Sequence, residues 1–145
     1  MRIAAIDIGS NAARLLIVDV VINDQQETEF NQVNFNRLPL RLGFDVFEKG
    51  EISDQKSEQI VTAMQVFQKT LAFYDVKLLK TCATSAMRDA QNSQDIIRKV
   101  KLETGLEIEI ISGDFEASLI YENHVAENMD TDHSYLYIDV GGGST

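Results

Sequence analysis

IAAIDIGSNAARLLIV, residues 3–18, decides how the chain begins to fold. An apolar run ends on a single carboxylate, Asp7, passes through Gly9, Ser10 and Asn11, and resumes as a second apolar run. This pattern predicts a strand, a tight turn and a return strand. Gly9 and Asn11 are residue types that tolerate positive φ, so the turn can aim successive main-chain N–H groups at a bound anion, with the Ser10 hydroxyl as a further donor. An acid beside an amide cradle suits phosphate held through Mg²⁺. An ordinary hairpin carries the same residues.

The far end of the chain repeats the device. Residues 135–145 read YLYIDVGGGST, in which Ile138, Asp139, Val140 and Gly141 reproduce Ile6, Asp7, Ile8 and Gly9. Gly141, Gly142 and Gly143 leave the main chain uncovered for phosphate oxygens, and Ser144 and Thr145 add two hydroxyls. The apolar strand that enters the glycines argues against a disordered tail.

The 145 residues suffice for one real core, and a hydrophobic content of 44% is ordinary for a globular domain. With 13 basic against 23 acidic side chains the formal charge is −10. Such a surface repels nucleic acid, so no nucleic-acid partner is expected. It also repels phosphorylated ligands, which makes a bridging cation or local arginines a requirement. Cys82 is the only cysteine, which excludes an internal disulfide and fits a reducing compartment. No segment reaches the roughly 18 apolar residues that span a bilayer, and Asp7 interrupts what a signal peptide would need. No membrane partner and a cytoplasmic location are the expectations.

In chain order, residues 13–22 predict the return strand and residues 28–38 a third, giving an antiparallel start with Arg14 just past the first turn. Arg14 is positioned to swing toward that turn, or to stay a solvated strand arginine. Residues 38–50 hold the only proline and then RLGFDVFEKG, which predicts an irregular loop outside the core, presenting Arg41 beside Gly43 at the border of a site. Ile60, Met64, Phe67, Leu71 and Tyr74 fall on one face of a helix over 53–74, with Ser53 as N-cap. Residues 76–84 predict a buried strand in which Cys82 acts as a small hydrophobe. SAMRDA, residues 85–90, is a strand-to-helix junction of the kind that favours anions, and Arg88 projects from it to fork onto a phosphate or to join a surface pair.

A helix from Ser93 turns Ile96, Ile97 and Val100 inward and stops at Gly105. Residues 106–111 predict a strand, 112–114 a turn, and 115–127 a helix with Glu116 in its first turn. A carboxylate there complements the helix dipole, and is also placed to hold a water if the loop faces a cleft. Residues 126–134 read as a polar linker. His124 and His133 have no metal-ligand spacing, so no zinc site is assigned.

Three strands, then alternating helices and strands, then a new strand with the opening motif repeated, is the order of a ribonuclease-H-like lobe. The chain resembles the exopolyphosphatase and guanosine pentaphosphate phosphohydrolase (Ppx/GppA) family of the actin, Hsp70 and hexokinase superfamily. AAIDIGSNAARLLI at 4–17, CATSAMRDAQN at 82–92, GLEIEIISGDFEASLIYE at 105–122 and YIDVGGGST at 137–145 carry the likeness, in the right order over essentially the whole chain. The resemblance implies an α/β fold: an actin-like ATPase lobe with a mixed sheet of three antiparallel strands followed by parallel ones. Residues 1–125 would form this first lobe, and 126–145 the linker, first strand and phosphate loop of a truncated second lobe.

The resemblance further implies Mg²⁺-dependent hydrolysis of the terminal phosphoanhydride of inorganic polyphosphate or guanosine pentaphosphate. Gly9, Ser10, Asn11 and Arg14 from one side, and Gly141, Gly142, Gly143, Ser144 and Thr145 from the other, would hold phosphates. Asp7 and Asp139 would be the metal-side carboxylates, Glu116 would activate the attacking water, and Arg88 would face the phosphate. Ser118 stands where the family commonly has an arginine two residues after the glutamate. Ending at Thr145, the chain omits the acidic residue that follows this motif in the family, so the isolated chain is expected to hydrolyse polyphosphate poorly, and its last strand to offer open edges for a homodimer. A non-catalytic polyphosphate or guanosine-tetraphosphate-binding module and a sugar-kinase-like ATPase lobe are the alternatives.

Overall fold

The computed structural model of the protein describes residues 1–125 and Val140, without the side chains of residues 123–125. The quoted stretch forms β1 (Arg2–Ile8) and β2 (Ala12–Ile22), an antiparallel pair in which Asp7 lies opposite Arg14 and Ile8 opposite Ala13. β3 (Thr28–Pro39) continues the antiparallel ladder, with a register irregularity between Ile17 and Val18. After α1 (Leu42–Lys49) and α2 (Asp54–Phe73), β4 (Leu78–Ala83) returns parallel to β1. Then follow α3 (Ser85–Asp89), α4 (Ser93–Thr104), the short β5 (Glu109–Ile110) parallel to β4, and α5 (Gly113–Val125). The sheet order is β3-β2-β1-β4-β5, the expected mixed sheet with flanking helices.

Strand alternation sets the core. Ile6, Ile8, Leu15 and Ile17 are buried on one face of the hairpin, where Ile60, Met64 and Phe67 of α2 and Val100 of α4 join the same cluster. Fully burying such a side chain stabilises by about 1.5–3 kcal/mol. α4 stops where Gly105 adopts φ 72, a left-handed C-cap that donates its N–H to Lys101. Cys82 is partly buried and burial pushes its thiol up, consistent with a packing role.

Several sequence expectations are corrected. Residues 42–49 are a helix, not an irregular loop, and Leu40, Leu42 and Val46 belong to the core. The helix starts from Arg41 at φ 55, an uncommon left-handed arginine with no capping side chain, which is why no N-terminal signal shows in the sequence. Ser53 does sit at the N-cap position of α2, but its hydroxyl donates to Asp45 instead of capping. The expected strand at 106–111 shrinks to two residues, and 76–84 is a strand only over Leu78–Ala83, with Leu78 exposed at its start. α5 begins at Gly113, two residues before the expected Phe115. The polar linker, His133 and the second glycine motif lie outside the described residues.

Candidate active site

β1, β4 and β5 are parallel, so their carboxyl ends leave the sheet on one edge. The edge where parallel strands end is where α/β sheets receive ligands. Three segments emerge there: the Gly9–Asn11 turn after β1, Thr84 to Arg88 after β4, and Ser112 to Glu116 after β5. Main-chain bonds extend the ladder into them, from Thr84 N–H to the Ile8 carbonyl at 3.1 Å and from Ile111 N–H to the Ala83 carbonyl at 3.0 Å. The Ser10 and Ser85 hydroxyls meet at 2.6 Å in a buried bond between the first two segments.

The third segment is joined through Arg88. Its Nη1 donates to the Ile111 carbonyl at 2.9 Å and lies 3.6 Å from Glu116 Oε2, with both side chains roughly seven-tenths buried by their exposures of 30% and 28%. Ser112 starts α5, accepting from Phe115 N–H through its hydroxyl at 3.2 Å and from Glu116 N–H through its carbonyl at 2.9 Å. That cap fixes Glu116 in the first turn, with its carboxylate toward Arg88. In the structure Arg88 lies against Glu116, distant in sequence and adjacent in space. Ser118 donates to the Phe115 carbonyl of its own helix at 2.8 Å.

The Gly9–Asn11 turn is shaped differently from expectation. Neither Gly9 nor Asn11 has positive φ, and a Cβ at Gly9 would make only ordinary contacts, 3.6 Å from the Ala12 carbonyl and 3.8 Å from Arg14 Nη2. What sets the turn is its carbonyls. Asn11 accepts from both Leu40 and Arg41 N–H at 3.0 and 2.8 Å, Ser10 accepts from Gly43 N–H at 2.9 Å, and Gly9 N–H is spent on Ala12. Among the described residues the Ser10 and Asn11 N–H groups have no main-chain acceptor. The Ser10 hydroxyl shares a hydrogen bond with that of Ser85, and its main-chain N–H points to no main-chain acceptor among the described residues.

Arg14 does turn toward the first strand, donating from Nε to Asp7 Oδ2 at 2.7 Å. The two side chains are half- to one-third exposed, so this pair is adjustable and worth little to stability. No cluster of three or more potential metal ligands occurs among the described residues. Asp7 fits as one carboxylate ligand of Mg²⁺, which is commonly held by one or two carboxylates with waters and substrate phosphates. Asp139, Gly141, Gly142, Gly143, Ser144 and Thr145 lie outside the described residues.

Beside the turn opens a cleft of about 660 Å³. Ser10 and Asn11 form one side, α1 the other, with Arg41, Gly43, Phe44, Phe47 and Glu48. Arg41 and Gly43, expected from the sequence to border a site, line this cleft. Phe44, Phe47, Glu48 and Ser85 were not singled out in the sequence. Once 42–49 is seen as a helix, the spacing of 44, 47 and 48 puts the first three on one flank.

The Ppx/GppA phosphatase family model matches residues 20–145. The chain is 32% identical over 145 residues to a bifunctional 3-dehydroquinate synthase/phosphatase of Fusobacterium nucleatum, covering 98% of this chain and 22% of that protein. It is 31% identical over 150 residues to exopolyphosphatase 2 of Mycobacterium tuberculosis, covering 99% of this chain and 46% of that one. The chain thus spans less than half the length of these curated relatives. Among solved structures, the Ppx/GppA family member of Aquifex aeolicus superposes with a TM-score of 0.76 at 28% identity, over 86% of this chain and 39% of that one. An exopolyphosphatase from Cytophaga hutchinsonii gives 0.76 at 29% identity, over 83% and 37%. With the family model covering most of its length, the chain belongs to the Ppx/GppA phosphatase family.

Proposed function

We propose that this chain is the first lobe of a phosphoanhydride hydrolase that removes the terminal phosphoryl group of inorganic polyphosphate or guanosine pentaphosphate. The observation that carries the reading is the convergence of the Ser10–Asn11 amides, Arg88 and Glu116 on one edge of the sheet. In this reading the free amides hold a bridging or terminal phosphate and Arg88 neutralises charge on the group under attack. Glu116 accepts a proton from the attacking water, whose oxygen forms a bond to phosphorus as the bond to the next phosphate breaks. The 3.6 Å separation of Arg88 from Glu116 leaves room for the guanidinium to turn to phosphate.

A divalent ion such as Mg²⁺ would supply charge neutralisation and substrate orientation, with Asp7 and Asp139 as its proposed carboxylates. Arg14 would join the phosphate contacts on release from Asp7. Gly141, Gly142, Gly143, Ser144 and Thr145 are proposed to hold phosphate from the opposite side. The two-lobed division at residue 125 rests on the family resemblance.

The test is phosphate release from inorganic polyphosphate by the protein in its full natural length, with and without Mg²⁺. Release that needs the metal is the expected result. Tight polyphosphate binding with no release would instead identify a non-catalytic binding module, and phosphate transfer to a sugar would identify a kinase.

A further inference from the structure

The hydroxyls of Ser10 and Ser85 meet at 2.6 Å across 75 residues of chain, and the two residues are 6% and 3% exposed. A buried hydroxyl pair is a weak source of stability, because replacing both partners with apolar groups of the same shape is close to neutral. Small apolar residues fit this junction: Ala12, Ala13, Ala83 and Ala86, which flank the two serines in sequence, are all buried. A hydrogen bond supplies what an alanine contact does not, a fixed distance and direction.

The two serines are held from different sides. The carbonyls of Ser10 and Asn11 accept from Leu40, Arg41 and Gly43, so the first turn is anchored to the segment that enters α1. Ser85 opens α3, the single turn that carries Arg88, whose N–H bonds to the Thr84 carbonyl at 2.9 Å. Three residues apart, Ser85 and Arg88 are neighbours on that turn. Arg88 donates to the Ile111 carbonyl and faces Glu116. α3 therefore bridges the first and third segments of the site, with its serine on one and its arginine on the other.

We propose that Ser85 is a positioning residue: through its bond to Ser10 it sets the spacing between the Ser10–Asn11 amides and the Arg88 guanidinium, so that both act on one bound phosphate chain. This rests on the reading of those amides and of Arg88 as phosphate contacts. Without the bond each contact survives, but their spacing drifts, and a misplacement of about 1 Å can cost about 10²-fold in rate. The loss falls on the transition state, where the two contacts must act together, and spares ground-state binding, which either contact supports. Turnover is therefore the quantity that Ser85 controls, and it does so through Arg88.

The test is a double-mutant cycle on the protein in its full natural length, following phosphate release from inorganic polyphosphate with Mg²⁺ and reading kcat and KM per folded molecule. Ser85→Ala is expected to lower kcat about tenfold and to change KM by less than about twofold. In an Arg88→Ala background the same substitution should cost less than a further twofold, because there is no longer a guanidinium to place. A serine that served the fold alone would lower the melting temperature and leave kcat per folded molecule unchanged. That result, alongside a slow Arg88→Ala variant, overturns the positioning role and leaves the phosphate contacts standing. Losses that multiply in full in the double variant overturn it as well, since Ser85 would then act independently of Arg88, and so does a raised KM at constant kcat. Normal turnover in Arg88→Ala itself overturns Arg88 as a phosphate contact, and the inference with it.

Discussion

Two arginines at opposite ends of the sheet show how the same side chain is used for two purposes. Arg2, at the start of β1, grips Asp19 with Nε and Nη2 at 2.9 and 2.7 Å, donates Nη1 to the Tyr74 carbonyl at 3.0 Å, and lies 5.9 Å over the Tyr74 ring. Its donors are spent on the fold, and Asp19 holds its guanidinium more firmly charged than usual. Arg88, beyond the end of β4, has one carbonyl bond and a looser approach to Glu116. The difference is between a clasp and a reserve. At the amino edge the ion pair is closed in two-pronged geometry; at the carboxyl edge donors are left over where strands end and ligands bind.

The largest effect that could break this contrast is at Glu116. Glu116→Gln in the protein of full natural length should lower polyphosphate turnover by about 10²-fold or more with binding largely kept, as the loss of a general base does. Normal turnover would remove Glu116 from the chemistry. Next in size, Arg88→Ala should cut turnover by about tenfold or more, and Arg88→Lys should restore little, because a lysine cannot fork onto phosphate. Arg2→Ala should leave turnover per folded molecule unaltered while lowering the melting temperature by a few degrees. Equal kinetic losses for the two arginines would erase the distinction.

Between the two ends, Thr81 of β4 lies opposite Ile6 and is buried, and its hydroxyl is the one buried side-chain polar atom without a partner among the described residues. Thr81→Val removes an unsatisfied donor at nearly constant shape and should raise the unfolding free energy by about 1 kcal/mol in denaturant titration. The smallest effect is on acid stability. Asp19 is held below its usual pKa of 3.8 by its hydrogen bonds from Arg2, so its contribution is complete above that pH and is lost as pH falls through the lowered folded value. Arg2→Ala should therefore flatten the dependence of melting temperature on pH below about 4, where Asp19 otherwise takes up its proton.

Much of this fold is legible because it rests on short-range pattern. The apolar runs on either side of Gly9–Asn11 give the hairpin, the spacing of Ile60, Met64, Phe67 and Leu71 gives α2, and Gly105 ends α4 where a left-handed residue is needed. α1 is hidden for a physical reason. It is eight residues long, contains Gly43, begins at a left-handed Arg41 instead of a capping side chain, and turns two phenylalanines outward, which confuses the apolar period. Leu42 and Val46, four apart and both buried, with Gly50 in left-handed conformation at the end, were the available signals. At the site, Arg88 and Glu116 are recognisable from motif, but their proximity depends on β4 and β5 lying side by side. The bonds from Ser10 to Ser85 and from Asn92 to both main-chain groups of Ile52 span 75 and 40 residues, and no local pattern announces them.

The carbonyls of Ser10 and Asn11 are gripped by three N–H groups from the segment that enters α1. Folding therefore settles the orientation of the first turn, and docking of the proposed anion would demand little further ordering of the chain. Deuterium should enter slowly at the amides of Leu40, Arg41 and Gly43 and quickly at Ser10 and Asn11, a contrast between neighbouring segments that a bound polyanion would abolish.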